Sequence, residues 1–527
     1  MKKKNICIIV ICLLTSVAYA DNKQAIEYYK AGVSTAKQMF EKTLKSDSPQ
    51  EQAEAYYYLG EIAYNMKRKQ EALADYQKGW ECSQIYPYNK VGEGKILLSS
   101  DKNAAEKAFD TALKINKKDA AVYVAIASSY LVNNMKPDAD KAIENVMKYN
   151  AKEPGIYLYE GDILFANKKF GDAAGKYEQA IYFDPECIEA YLKYADVYQF
   201  VNPALSIGML QKLIEKRPDN LLAYRNLGNI YASQGSYTKA IEAYQKYISG
   251  NIYSVDDLIH YASALFFSGK FADAGKIVEK SLVSDPDNFL AKRLNIYNSY
   301  ETKAYDKGLE LAQSFFAIPN GKFIWQDYLY YGKLLKASGQ YDKALEAMQK
   351  AIEQSTSHVE IYKEIADIYN SLGNAPQAIE LYTDYMMAPN ATVDVADYFQ
   401  LGRYYYTAAT NDSINRMAYI QKADSLFNIV TQKAPDSYLG NFWQARTNSL
   451  RDPETEQGLA KPYYESCLLK LEKNKQKYPD ELIECYRYLG YYYFLQKDAT
   501  NSKPYWNKIL ELDPTNTVAQ EALKNIK

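Results

Sequence analysis

The sequence predicts an all-α fold in which helix-turn-helix units stack along the chain. Three observations support this prediction. A glycine or alanine in a tyrosine-rich setting recurs every 33 or 34 residues, an alanine usually follows it by twelve residues, and an aromatic residue usually precedes it by four. The recurring small residues include Gly161, Ala195, Gly228 and Ala262. A fixed period of this length indicates one long repeat array rather than several unrelated domains.

The spacing predicts two helices in each unit, packed through their small residues. One first-helix stripe, with the i, i+3, i+4, i+7 pattern of an amphipathic helix, is formed by Tyr224, Leu227, Gly228 and Tyr231. The second helix of that unit continues with Ala240, Tyr244 and Tyr247. The chain contains 53 tyrosines, and about twenty occupy recurring positions of this kind. We interpret those twenty as packing residues and the remainder as candidates for recognition.

The first twenty residues predict a signal peptide. Lys2 to Lys4 are followed by an apolar run at residues 6–14, and Ala18-Tyr19-Ala20 supplies the small residues that a signal peptidase requires. The run is far shorter than the roughly 20 apolar residues that span a bilayer, although an uncleaved membrane anchor is the alternative interpretation. We therefore expect cleavage after Ala20 and export of the protein to a periplasm.

Three further segments follow. Residues 21–52 are interpreted as an N-terminal helical cap or a degenerate repeat, residues 53–515 as the repeat array, and residues 516–527 as a polar capping helix. Two units carry insertions, within residues 408–417 and 451–458, which we expect to be surface loops, with specific contacts as the alternative. Cys467 and Cys485 lie on consecutive predicted helices, either as a disulfide or as buried free thiols.

Composition argues against several classes of function. Apolar residues make up 47% of the chain and charged residues 24%, with a formal net charge of −2, so we expect neither disorder nor a nucleic-acid partner. Only 2 histidines are present, and no zinc-binding or nucleophile motif occurs, so no metal or catalytic site is predicted. Gly171 to Lys176 superficially matches a phosphate loop, but the glycine spacing is one residue too short.

The repeated residues resemble the tetratricopeptide repeat, a 34-residue helix-turn-helix unit. Residues 157–185 and 224–247 match its pattern closely. The resemblance implies a right-handed superhelical α-solenoid of about thirteen helix-turn-helix units, whose first helices line a concave groove. It also implies protein or peptide partners held in that groove, without a cofactor.

Three groove residues resemble part of a carboxylate clamp that some members of this family use to bind a partner's C-terminus. Arg225 and Asn229, one turn apart on one predicted helix, resemble the first Lys/Asn pair of such a clamp. His260 falls on the next first helix, where the clamp carries asparagine. The alternative is a solvated polar groove with no ligand.

Aromatic residues form a second group of candidate binding residues. They are expected on the first-helix face that is turned away from the second helix, and they are Tyr57, Tyr64, Phe165, Phe266 and Tyr406. A tyrosine combines a large contact area with a polar tip, which suits peptide or sugar binding. The alternative is that some of these rings cover neighbouring units.

Taken together, these patterns predict a non-enzymatic periplasmic scaffold or adaptor that binds partner proteins or peptides in the groove. No segment after the first twenty residues is predicted to span a membrane, and an association with an envelope complex is compatible with this prediction. The alternative function is a carbohydrate or peptidoglycan binder of the cell envelope that uses the groove tyrosines.

Overall fold

The computed structural model describes residues 22–526. The predicted signal peptide lies outside the described residues. Across residues 22–526 the chain is helical and contains no β-strand. Its contacts divide it into two compact units, Met1–Asn298 and Ser299–Lys527.

The helices of the first unit follow one another with short connections. They are α1 (Asn22–Lys30), α2 (Ala36–Thr43), α3 (Pro49–Asn65), α4 (Lys69–Cys82), α5 (Tyr88–Leu97), α6 (Lys102–Ile115), α7 (Ala120–Val132), α8 (Lys136–Tyr149), α9 (Pro154–Ala166), α10 (Phe170–Phe183), α11 (Ile188–Tyr198), α12 (Pro203–Lys216), α13 (Leu221–Ser233), α14 (Tyr237–Ile248), α15 (Val255–Phe267), α16 (Phe271–Ser284) and α17 (Phe289–Glu301). The boundary between the units falls within α17.

The second unit continues the same alternation. Its helices are α18 (Tyr305–Phe316), α19 (Trp325–Ala337), α20 (Tyr341–Gln354), α21 (Ile361–Ser371), α22 (Ala375–Met387), α23 (Val395–Asn411), α24 (Arg416–Lys433), α25 (Leu439–Arg451), α26 (Lys461–Leu471), α27 (Pro479–Leu495), α28 (Ala499–Leu512) and α29 (Thr517–Asn525). A 3-10 turn, Glu472–Asn474, follows α26.

Consecutive helices form pairs, and successive pairs pack side by side. Helix α3 packs along α4, α9 along α10 and α13 along α14, while α3 also contacts α5 and α5 contacts α7. The odd-numbered first helices are therefore neighbours along one surface of each unit. Thirteen pairs run from α3 to α28, which confirms the predicted all-α solenoid of helix-turn-helix units.

Local residues explain where the helices begin and turn. Helix α13 begins after Asn220, whose side chain accepts a hydrogen bond from the Ala223 amide at 3.1 Å. The turn from α13 to α14 contains Gly235, whose φ of +71° lies in the left-handed region that glycine adopts readily. The Ser236 amide then donates to the Tyr231 carbonyl at 2.9 Å, which closes the helix end.

Tyrosines on the second helices fill the space between the helices of a pair. All five of the predicted second-helix packing tyrosines are buried, and they are Tyr76, Tyr177, Tyr244, Tyr382 and Tyr464. This confirms their interpretation as core residues. Most of the first-helix tyrosines are only half-buried, because each also faces the boundary with the next pair.

The two insertions differ in structure. The expectation of a loop at residues 408–417 is largely wrong, because α23 and α24 extend over most of that segment and keep only a short turn between them. The insertion at residues 451–458 is a loop, and Asp452 holds it by accepting a hydrogen bond from the Gly458 amide at 2.7 Å. Cys467 and Cys485 are buried free thiols on α26 and α27.

Candidate partner-binding cavity

The first helices of the first unit surround a cavity of about 570 Å³. Side chains from α1, α3, α5, α7, α9 and α11 line it. Val124 and Leu158 contribute aliphatic surface, and Ser128 and Ser129 contribute hydroxyl groups. A cavity that combines apolar walls with a few polar groups is typical of a binding site.

Tyrosines form one wall of this cavity. Tyr57 and Tyr58 of α3 lie edge to face with 5.0 Å between their ring centroids, and Tyr29 of α1 contacts Tyr58 at 5.3 Å. Tyr57 also contacts Tyr88 of α5 at 5.5 Å. These contacts hold the rings in fixed orientations, so the wall offers a rigid aromatic surface.

Pairs of opposite charges connect the helices around the cavity. Lys30 of α1 lies 2.9 Å from Glu189 of α11, measured between Nζ and Oε2. Lys193 lies 2.7 Å from Asp162 of α9 and 3.6 Å from Glu189. Burial alone would raise the pKa of Glu189, but the positive charges of Lys30 and Lys193 outweigh it and hold that pKa below its ordinary value.

Lys95 shows how the cavity accommodates a cation. Its ammonium group pairs with Glu61 and lies 4.3 Å from the centroid of the Tyr64 ring. A carboxylate and an aromatic face together stabilise an ammonium group. Cys187 also reaches the cavity, but burial raises its pKa to about 11, so its thiol stays protonated and weakly nucleophilic at neutral pH.

The contact between α1 and α11 closes the ring of first helices. Nine helices, α2 to α10, separate the two helices along the chain, yet they contact each other directly. Beyond this contact, Tyr28 of α1 shares a core cluster with Tyr247 of α14. Burial, together with the nearby negative charge of Asp257, raises the pKa of Tyr28 to about 12. Helix α1 therefore reaches the beginning of α15 as well as α11.

Asp257 is a buried carboxylate with several hydrogen-bond donors around it. It is only 1% exposed and accepts hydrogen bonds from Arg225 at 2.6 Å, from Tyr247 at 2.8 Å and from the Ser254 amide at 2.8 Å. Burial would raise the pKa of Asp257, but Arg225 and these hydrogen bonds hold it below its ordinary value. The group stays ionised at neutral pH and fixes the junction of α13, α14 and α15.

The three residues of the predicted clamp do not converge on an open carboxylate site. The side chain of Arg225, 17% exposed, is engaged by Asp257, and Asn229 accepts a hydrogen bond from the Tyr244 hydroxyl at 2.7 Å. His260 is exposed on α15. Arg225 and Asn229 therefore hold the fold together. Both side chains have partners inside the protein, Asp257 for Arg225 and Tyr244 for Asn229. The residue types alone could not show that these partners exist.

The five predicted aromatic residues have different surroundings. Tyr57 and Tyr64 line the cavity of the first unit. Phe165 is 41% exposed near the end of α9, where it contacts Phe170. Phe266 does not face an open groove as predicted, because it is only 7% exposed and contacts Phe271 and Tyr297. Tyr406 belongs to the second unit and contacts Trp443 at 5.3 Å.

Several cavity residues were not predicted from the sequence. Tyr58 lies next to the predicted Tyr57, and Tyr88 lies four residues before Gly92, so both positions carry a usable signal. Lys30 and Glu189 carry no such signal. They meet only because the first unit curves until α1 reaches α11.

First helices of the second unit are connected by charges as well. Lys336 of α19 lies 2.9 Å from Glu364 and 3.1 Å from Asp367, both on α21. The Tyr404 hydroxyl of α23 donates to Asp367. Within the described part of the chain, no group of three His, Cys, Asp or Glu side chains is arranged to hold a metal ion. No helix among residues 22–526 is long and apolar enough to cross a membrane.

Comparisons with known proteins agree with this architecture. One sequence profile of the tetratricopeptide repeat matches residues 22–89, 124–186 and 201–254, and a second profile of the same repeat matches residues 335–396. A TPR repeat-containing protein of Methanocaldococcus jannaschii is 22% identical over 403 residues, covering 72% of this chain and 65% of that protein. The chain thus spans slightly less than two thirds of this relative.

Two solved structures are also similar. The C-terminal part of a TPR repeat-containing protein from Cytophaga hutchinsonii is 33% identical, covers 50% of this chain and 99% of its own, and has a TM-score of 0.43. A tetratricopeptide repeat protein from Parabacteroides merdae is 17% identical over 49% of this chain and 98% of its own, with a TM-score of 0.38. The profile matches and the helical pairs with small residues at their contacts identify the chain as a member of the tetratricopeptide repeat family.

Proposed function

We propose that this protein is a non-enzymatic scaffold or adaptor, exported to the periplasm, that binds partner proteins or peptides inside its first unit. Tetratricopeptide repeats are generally protein-interaction modules, and binding needs no chemistry beyond shape and charge complementarity. The export step is supported by the charged, apolar and small residues of the first twenty positions.

The cavity among α1, α3, α5, α7, α9 and α11 is the observation that carries the proposal. It presents rigid tyrosine rings, aliphatic surface and carboxylates that already hold ammonium groups. Such a surface accepts an apolar side chain together with a neighbouring basic or hydroxyl group. Interfaces with these features are enriched in tyrosine and combine an apolar centre with polar surroundings.

Site-specific photo-crosslinking in intact cells tests the proposal. A photoreactive residue at Ser128 would lie in the cavity, whereas one at Tyr182, which is 79% exposed on α10, serves as the matched control. We expect discrete crosslinked protein species from position 128 and none of the same mass from position 182. Fractionation of the same cells should place the crosslinked species in the periplasm, and removal of residues 2–20 should retain it in the cytoplasm.

The carbohydrate alternative predicts a different result. In that case the purified protein would pellet with peptidoglycan, and replacing Tyr57, Phe165 and Tyr406 with alanine would abolish pelleting while crosslinks to proteins persisted. That outcome would show that the scaffold function does not use the cavity. Under the scaffold proposal we expect no pelleting of the wild-type protein.

A further inference from the structure

Helix α1 forms one edge of the cavity that the proposed function assigns to partners, and it covers the adjoining surface of α11 around Glu189. We propose that α1 is a displaceable internal occupant of this surface, and that a partner binds there with a short helical segment carrying the chemistry of α1: a tyrosine followed two residues later by a lysine. The inference rests on the proposed function and names both the surface and the chemistry of the partner.

The contacts of α1 resemble those of a docked peptide. Ala25 and Tyr28, three residues apart on one helix face, are 0% and 2% exposed and belong to one core cluster with Tyr247. Lys30, at the end of the helix, pairs with Glu189 at 2.9 Å. One apolar face and one terminal ammonium group therefore hold α1 against α11, and α1 also contacts its neighbours α2 and α3.

The docked position of α1 is imperfect. The Tyr28 hydroxyl is buried without a hydrogen-bond partner among residues 22–526, so docking removes it from water without replacing its bonds. Helix α1 has only nine residues, a length at which a helix is marginal without tertiary contacts. Gly32, with a φ of +69° and no atom within 4 Å of an added Cβ, connects it to α2. A segment with these properties is suited to exchange with a competitor.

The unpaired hydroxyl makes the proposal specific. A phenylalanine in place of Tyr28 would keep the buried ring and remove the group that lacks a partner, so it should bind the surface more tightly than the native tyrosine. An alanine would lose the ring itself and should bind poorly. A lysine-to-glutamate change at position 30 would place two carboxylates side by side at Glu189 and should weaken binding.

A labelled synthetic peptide of residues 22–34 serves as the probe, titrated into the full chain and followed by fluorescence anisotropy. If α1 competes with the probe, the Tyr28→Ala chain should bind the peptide about tenfold more tightly than the wild-type chain, and the Tyr28→Phe chain should bind it less tightly. Tyr182→Ala, at an exposed position of α10, should bind like the wild type. The peptide with Lys30→Glu should bind none of these chains well.

Hydrogen exchange on the wild-type chain supplies an independent readout. We expect the α1 amides to exchange faster than those of α13, and addition of excess peptide to accelerate α1 exchange further. Equal peptide affinity for the wild-type, Tyr28→Ala and Tyr28→Phe chains, or α1 protection equal to that of α13, would overturn the proposal. Should Tyr28→Ala lose its helical circular dichroism, the Tyr28→Phe comparison and the exchange data still decide the question.

The two proposals fail in different ways. If position 128 crosslinks a protein in cells while the α1 peptide neither binds nor competes, the scaffold function stands and the displacement of α1 is rejected. If the peptide binds as expected but no crosslink forms at position 128, α1 is displaceable and the partner function of the cavity is rejected.

Discussion

Tyr244 of α14 lies directly over Gly228 of α13. Its hydroxyl donates a hydrogen bond at 2.7 Å to Asn229, the residue that follows Gly228 on α13. A Cβ added to Gly228 would lie 2.6 Å from the Tyr244 ring, closer than atoms can pack. The same arrangement recurs with Gly161, Tyr177 and Asp162, and with Gly60, Tyr76 and Glu61. The recurring glycine is therefore required by the tyrosine of the second helix, and the polar residue after it satisfies the buried hydroxyl.

Gly228→Ala should destabilise the protein, because the new methyl group must displace the Tyr244 ring. Overpacking of this kind costs about 1–3 kcal/mol of unfolding free energy. Gly175→Ala, within α10 and with nothing inside 4 Å of the added Cβ, is the matched control and should gain up to about 1 kcal/mol through helix propensity. Urea unfolding followed by circular dichroism measures both. Equal stability of the two variants would contradict the packing argument.

Ala240→Leu should destabilise the same helical pair. Ala240 of α14 is fully buried, so a leucine there must move neighbouring side chains, at about 1–3 kcal/mol. Gln245→Leu, on an exposed position of the same helix, controls for added apolar bulk and should change stability by less than about 0.5 kcal/mol. Hydrogen exchange should locate the loss of protection in α13 and α14. Unchanged protection in Ala240→Leu would show that this position is not at the helix contact.

Arg225→Leu should be strongly destabilising, because Asp257 is buried and would lose its only nearby guanidinium partner of those described. Breaking a buried ion pair costs about 3–5 kcal/mol, and the hydrogen bonds from Tyr247 and Ser254 should keep the loss at the lower end. Arg217→Leu, whose partner Asp219 is 73% exposed, should cost no more than about 1 kcal/mol. Thermal unfolding of the two variants compares them directly, and similar losses would argue against a structural role for Asp257.

Acid should weaken the junction of α1 with the rest of the first unit. The pKa values of Asp257 and Glu189 lie below their ordinary values in the folded protein, so both groups contribute stability above their unfolded pKa values. That contribution is lost as the pH falls below the ordinary carboxyl range and through the lowered folded values. Urea unfolding at pH 7, 5 and 3.5 should therefore show a loss at the lowest pH. The difference in unfolding free energy between the wild type and Arg225→Leu should also be smaller at pH 3.5. A difference that stays constant with pH would contradict the lowered pKa of Asp257.

Much of the fold was predictable because its constraints are local. The small residue, the aromatic residue four positions earlier and the alanine twelve positions later all act within one helical pair. The burial of Tyr76, Tyr177 and Tyr244 follows from their positions in that pattern. The structure of residues 408–417 was harder to predict. Additional residues between two repeats look the same in the sequence whether they form a loop or, as here, extend α23 and α24.

The candidate site was only partly predictable. Tyr57 and Tyr64 were identified because they occupy first-helix positions that face away from the second helix, and both line the cavity. Arg225 has the right residue type and helix for a clamp, yet Asp257 on the next first helix neutralises it. Residue spacing defines which face of a helix a side chain occupies. It does not define which side chain of the neighbouring helix that residue contacts.

By itself, the sequence determined the repeat, the helical pairs and the tyrosines that pack between them, because each of these depends on residues within about one repeat of one another. Only the tertiary structure decided that Lys30 meets Glu189 and that Tyr28 and Tyr247 share one core cluster. These contacts depend on small rotations between successive pairs, which add up until α1 reaches α11. No local sequence pattern contains the total rotation of the helical pairs, and the cavity exists because of that rotation.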